Sequence, residues 1–221
     1  MIYAENIFVC LAAPLMVSLA FMRQAGRRFL FFFVLGMLSC LVGAYFNSFI
    51  SARKGLDALD AVLIAAPMVE EISKFLPLLF YVVVFEPPPR RIVDVALAIG
   101  AGFATFENAC YITQFNPQDL LLMLIRGVAV GAMHVGCTLI VGMGLRYSRT
   151  ENWPGLPATI GVLGIAIIYH GVYNVLVSYP GSMRWVGYGL PLLVSLVAWV
   201  YSYYVPYQGG DRQAEPGPLA E

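Results

Sequence analysis

The sequence predicts an all-α, polytopic transmembrane helix bundle of about seven spans with its N-terminus outside. Three observations predict it. Of 221 residues, 60% are hydrophobic and only 12% charged, whereas a soluble domain carries about 25% charged residues. The mean hydropathy is +0.76. Apolar runs of ~20 residues, the length that crosses a hydrocarbon core, recur along the whole chain. A soluble globular fold is excluded. Thirteen Lys+Arg balance thirteen Asp+Glu, and no basic block is present, which excludes a nucleic acid as partner.

The runs fall at 4–22, 29–50, 59–85, 92–113, 120–145, 157–178 and 185–205. The first has no basic residue before it and Arg23, Arg27 and Arg28 after it, so it reads as a retained span and not a cleavable signal. Threading from an outside N-terminus puts Arg23, Arg27, Arg28, Arg90, Arg91, Arg146, Arg149 and Arg212 in the cytoplasm and leaves Arg53, Lys54 and Arg184 outside. That asymmetry obeys the positive-inside rule. Lys74 and Arg126 fall within spans. Residues 1–207 form a single integral membrane domain with its polar motifs in 59–178, and 208–221 is a short, polar, disordered cytoplasmic tail. Cys10, Cys40, Cys110 and Cys137 lie in apolar runs without CxxC or disulfide spacing and read as small buried hydrophobes.

A charge at mid-bilayer costs about 2.5–3.5 kcal/mol on insertion scales, so such groups face a protein interior or a water-filled cavity. The third span, APMVEEISKFLP, holds Glu70, Glu71 and Lys74 between Pro67 and Pro77. Glu70 and Lys74 share a helical face, while Glu71 sits about 100° round and three residues from Lys74. One carboxylate can be paired while the other stays free. A Glu70–Lys74 pair that only makes the helix insertable would leave Glu71 unexplained. Two adjacent carboxylates with one cation cannot both be cheaply ionised in a low dielectric, so one holds a proton or binds a water or metal, as a general base must.

The fourth span, GAGFATFENACYI, places Glu107 four residues after Phe103 and four before Tyr111, with Asn108 beside it. The fifth carries Arg126 and His134, and the sixth carries His170 and Asn174 on one face. These are the two histidines of the chain. A lone membrane histidine is usually a hydrogen-bonded core residue, but two histidines with three acids on four spans point to a site. Counted inward from the outer ends, Asn174 lies about 6 Å deep, Glu107 and His170 about 9–12 Å, Glu70 and Glu71 about 17 Å and His134 about 21 Å. The site is expected to open outward. Gly100, Gly102, Gly127, Gly131 and Gly171 near these stations read as tight helix packing, and Tyr111 is the aromatic expected near the site.

Taken in order, Glu70-Glu71-x-x-Lys74, Phe103-x-x-x-Glu107-Asn108, the mid-span His134 and His170-x-x-x-Asn174 resemble the four motifs of the PrsW-type intramembrane proteases. These belong to a wider superfamily with the CAAX prenyl endopeptidases and bacteriocin-processing enzymes. CAAX-type members resemble EExxR with FxxxH, so Lys74 and Glu107 fit the PrsW type better. The resemblance implies a multi-pass protein of a bacterial or archaeal cell membrane that hydrolyses a peptide bond of a membrane-anchored protein at the extracytoplasmic face, an anti-sigma factor being the implied substrate. It implies Glu70 as water-activating base, Glu71 and Lys74 as its orienting partners, and His170 and Asn174 at the oxyanion. Glu107 and His134 would hold the water or protonate the leaving amine.

Zinc is the one cofactor these residues could hold, through Glu70, Glu107, His134 and His170, but no HExxH-type spacing is present. His134 with Cys137 is a further ligand pair by spacing. The pattern favours a glutamate-dependent mechanism over a metal. The rival class is a proton- or cation-coupled transporter, which would spread charges along a path and often repeat its halves; here the cluster keeps to one layer and no repeat is evident. A non-catalytic scaffold would be expected to have lost a motif position.

Overall fold

The computed structural model describes residues 3–115, 117–150 and 155–204. The tail 208–221, with Arg212, lies outside them. No strand occurs among the described residues, as the bilayer requires: without water, backbone polar groups are satisfied only within a helix or a closed barrel. Seven long helices follow one another: α1 (Ala4–Ser18), α2 (Gln24–Lys54), α3 (Ala66–Phe85), α4 (Pro89–Phe115), α5 (Leu120–Thr150), α6 (Gly155–Ser178) and α7 (Ser182–Tyr204). A 3₁₀ turn, Leu19–Phe21, extends α1.

Helix ends follow local chemistry. Gly55, at φ 63°, closes α2 in the left-handed conformation, just after Arg53 and Lys54, whose charges suit the negative end of the helix. Asp57 Oδ1 accepts from the Asp60 N–H at 2.8 Å and caps the short turn Ala58–Asp60. That turn leads into α3 through a π-helical stretch, Ala61–Ala65. Glu86 turns left-handed at φ 43°, and Pro87, Pro88 and Pro89 prevent α3 from continuing. Asp119 caps α5 by accepting from the Leu122 N–H at 3.0 Å.

Among the described residues, five stretches are long and apolar enough to cross a membrane: Ala4–Phe21, Gln24–Lys54, Pro89–Phe115, Leu120–Ser148 and Pro157–Ser178. α3 carries three charged residues, Glu70, Glu71 and Lys74, in its 20. The expected spans 59–85 and 185–205 correspond to α3 and α7. Large apolar side chains such as Phe80, Leu124 and Ile168 point outward. In water such a surface would drive aggregation, but against lipid it costs nothing.

The core is the seam of α4 with α5 and α2, filled by Ile92, Val95, Ile99, Met133, Cys137 and Val141. Two glycines make the α2–α4 approach: a Cβ at Gly36 would lie 2.2 Å from the Ile99 carbonyl oxygen, and one at Gly102 would lie 1.9 Å from that of Phe33. A Cβ at Gly100 would meet Thr138 Oγ1 at 2.1 Å, beside His134. The packing expectation fails for the other glycines. Gly131 has nothing within 4 Å of a Cβ position, and Gly127 and Gly171 meet only ordinary contacts; neither glycine of this GxxxG pair makes a tight approach. Cys40 and Cys137 are buried as expected, but Cys10 is exposed, because α1 lies at the rim with Ala12 as its buried residue.

Candidate functional site

The polar residues meet where α3, α4, α5 and α6 converge. Lys74 and Glu71 are each 1% exposed, and Lys74 Nζ donates to Glu71 Oε1 at 2.7 Å. Lys74 therefore pairs with the carboxylate three residues back and not with Glu70, which shares its face. Its ammonium also donates to His134 Nδ1 at 3.0 Å and lies 4.8 Å from the centre of the Phe103 ring, which gives that motif residue a cation–π role.

Proton positions follow from the donor inventory. An ammonium can only donate, so His134 Nδ1 accepts and its proton sits on Nε2. Nε2 then donates to Glu107 Oε2. Glu107 also receives Arg126 Nη2 on Oε1 at 3.3 Å. The guanidinium is fixed further by Asn108 Oδ1 at 2.6 Å and by the Tyr111 ring, 3.5 Å away. Two residues of α5, eight apart, thus grip one carboxylate of α4.

On the other side, His170 Nδ1 lies 2.7 Å from Glu71 Oε1. A carboxylate already bound by Lys74 accepts here too, so the Nδ1 proton is fixed and Nε2 is turned toward Glu70 Oε2, 3.8 Å away. The two imidazoles stand edge to face, with centroids 5.1 Å apart. Glu70 differs from the other acids. Among the described residues no lysine or arginine pairs with it, and its nearest amide is Asn47 Nδ2, donating to Oε1 at 3.4 Å.

All six charged motif residues, Glu70, Glu71, Lys74, Glu107, His134 and His170, are brought together, with Phe103 and Asn108 in supporting contact. Asn174 stands apart. Its Nδ2 donates to the Val62 carbonyl at 2.9 Å, tying α6 to the π-helical lead-in of α3 and leaving one further N–H on the amide. Two participants carried no motif signal. Arg126 had the signal of an intramembrane cation, two turns before His134. Asn47 had none, as a single amide in the apolar run of α2.

Two groups of donors lie within 4.8 Å of one another: Glu70, His134 and His170, and Glu71, Cys137 and His170. Their types suit a divalent metal, but a catalytic zinc takes three protein ligands with free lone pairs. In the first group Glu70 and His170 Nε2 have one to offer. His134 does not, since Lys74 occupies one nitrogen and the proton shared with Glu107 the other. In the second, the Glu71 oxygen facing His170 is already bound by Lys74, and Cys137 Sγ, wholly buried, is directed at the Ala166 carbonyl at 3.6 Å. A metal on Glu70, His134 and His170 would therefore require His134 to give up its contact with Lys74.

A protein-family model described as "PrsW family intramembrane metalloprotease" matches residues 24–202. No curated protein matches the chain, and no solved structure does.

Proposed function

This chain belongs to the PrsW family of intramembrane proteases, and from that premise we propose that it cleaves a membrane-anchored protein near the extracytoplasmic face by a glutamate-activated water. The observation that carries the reading is the partition of the three carboxylates. Glu71 is held by Lys74 and His170 and Glu107 by Arg126 and His134, whereas Glu70, among the described residues, is paired with neither a lysine nor an arginine and meets only the Asn47 amide at 3.4 Å and His170 at 3.8 Å.

Charge balance supports it. Glu70, Glu71 and Glu107 against Lys74 and Arg126 leave one negative charge in a low-dielectric site, where unbalanced charge is costly. One further proton, on His170 or Glu70, brings the cluster to zero. With that proton on His170 Nε2, Glu70 takes a proton from the water while the water oxygen attacks the scissile carbonyl. His170 then donates to the oxyanion, and Glu70 returns its proton to the leaving amine. The second N–H of Asn174 can assist at the oxyanion. His134 and Glu107 act here as positioning residues for Lys74 and Glu71. An anti-sigma factor is the substrate class that the family resemblance implies.

The test is cleavage of a panel of single-span membrane proteins in liposomes. Wild type is expected to cut on the outer side, and Glu70→Gln to be inactive while folded. Proton or cation flux that depends on Glu70, without cleavage, would move the carboxylates to the transport reading.

A further inference from the structure

α2 and α4 lie side by side with their N-terminal ends together, at the end of the bundle that Arg23, Arg27, Arg28, Arg90 and Arg91 assign to the cytoplasm. Their backbones touch further along, at Gly36 and Gly102. Where α2 begins, with the small Ala25 and Gly26, a cavity of about 320 Å³ remains between the two helices, lined by Ala25, Gly26, Arg28 and Phe29 of α2 and by Asp94 and Leu97 of α4. Sites for small ligands measure about 300–1,000 Å³. Arg28 and Asp94 bring opposite charges to one cavity without pairing, and among the described residues neither side chain has a partner. Arg91, whose side chain has none either, stands one turn before Val95, a further residue of the wall, on the same face of α4. Arg27 is turned the other way, to the Leu19 carbonyl at 3.1 Å and the Met22 carbonyl at 3.2 Å.

We propose that this cavity binds the head of an anionic glycerophospholipid of the cytoplasmic leaflet, one whose phosphodiester carries a hydroxylated head, as in phosphatidylglycerol. The phosphate oxygens accept from Arg28 and Arg91, and a hydroxyl of the head donates to Asp94. Phe29 and Leu97 give the start of the acyl chains an apolar wall. A group that both accepts and donates thus fits between two charges that the protein keeps apart. Charge complementarity selects the head: two arginines and one aspartate leave one positive charge at the lipid surface, and one phosphodiester neutralises it. A zwitterionic head could meet Arg28 and Asp94 but would leave that surplus unbalanced, and a free phosphate would leave the apolar wall uncovered. Arg28 lies about five turns, or about 28 Å, along α2 from Asn47, which meets Glu70. The lipid site therefore goes beyond the protease reading and does not depend on it. One lipid head ties α2 to α4 at the end that their glycine contacts do not reach.

The test uses full-length protein in detergent micelles, titrated with phosphatidylglycerol, phosphatidylethanolamine, phosphatidylcholine or glycerol phosphate and read by native mass spectrometry and by the unfolding midpoint. Wild type is expected to retain one phosphatidylglycerol more tightly than the other probes and to gain a higher midpoint from it. Arg28→Gln should weaken that binding about 5-fold and Arg28→Gln/Arg91→Gln about 30-fold, the effect of one and two charges near an anionic surface. Ala25→Leu leaves every charge in place and fills the cavity, so it should remove the retained lipid as well. Variants that hold phosphatidylglycerol as wild type does would overturn the proposal. So would a loss in the arginine variants that Ala25→Leu does not share, since that is general attraction to a basic surface. Equal retention of phosphatidylethanolamine would assign the cavity to a zwitterionic head, and an equal effect of glycerol phosphate would assign it to a soluble phosphate; either overturns the anionic lipid. Should the double variant not fold, Arg28→Gln and Ala25→Leu decide by the same criteria.

Discussion

Replacing Lys74 by methionine should cost the fold about as much as any single substitution in this chain. Lys74 is 1% exposed and serves Glu71 at 2.7 Å, His134 Nδ1 at 3.0 Å and the Phe103 ring at 4.8 Å. Methionine fills the space but can neither donate nor carry charge. Glu71 would then be a buried carboxylate without its cation, and removing one member of a buried ion pair costs about 3–5 kcal/mol. The bare Nδ1 of His134 and the lost cation–π contact point the same way, but they belong to the same network and do not simply add. Unfolding followed by helicity in mixed micelles would read the loss. The double variant Lys74→Met/Glu71→Leu removes both members, so it should recover at least half of that loss while remaining inactive. Wild-type stability in Lys74→Met, or a double variant less stable than the single, would refute the idea that Lys74 works mainly by neutralising Glu71.

Three other outcomes are expected. Arg126→Gln should lower kcat about 10-fold with KM unchanged, and little further in a Glu107→Gln background, since Arg126 meets the charged cluster through Glu107; equal losses in both backgrounds would show an independent role. Gly36→Ala should cost about 1–3 kcal/mol, because its Cβ would sit 2.2 Å from a backbone oxygen, while Gly131→Ala, with nothing within 4 Å, should be neutral or stabilising on the same unfolding assay. Chelation should leave cleavage intact, with metal below one equivalent in the purified protein. Loss of cleavage that zinc restores would mean that His134 trades Lys74 for a metal.

Buried charge is costly enough that its location along the chain is informative before any packing is known. Glu70, Glu71, Lys74, Glu107, His134 and His170 stand out from apolar runs, so the sequence located the site and the helices that carry it. It could not assign the partners. Helical spacing allows Lys74 to meet either Glu70 or Glu71, and the choice depends on where His134 and His170 enter from other helices. Cys10 and the Gly127–Gly131 pair show the same limit in packing, since an apolar run does not reveal which face meets lipid.

Composition and apolar run length determined by themselves that this chain is an all-helical membrane protein, because a bilayer leaves the backbone almost no other choice. Motif residues determined that it carries a cluster of acids, histidines and a lysine. Only the tertiary structure decided which carboxylate is left without a cation, that Arg126 and Asn47 belong to the site, and that Asn174 holds the Val62 carbonyl. Each of those depends on distances between helices far apart in sequence, which the periodicity of a single helix does not encode.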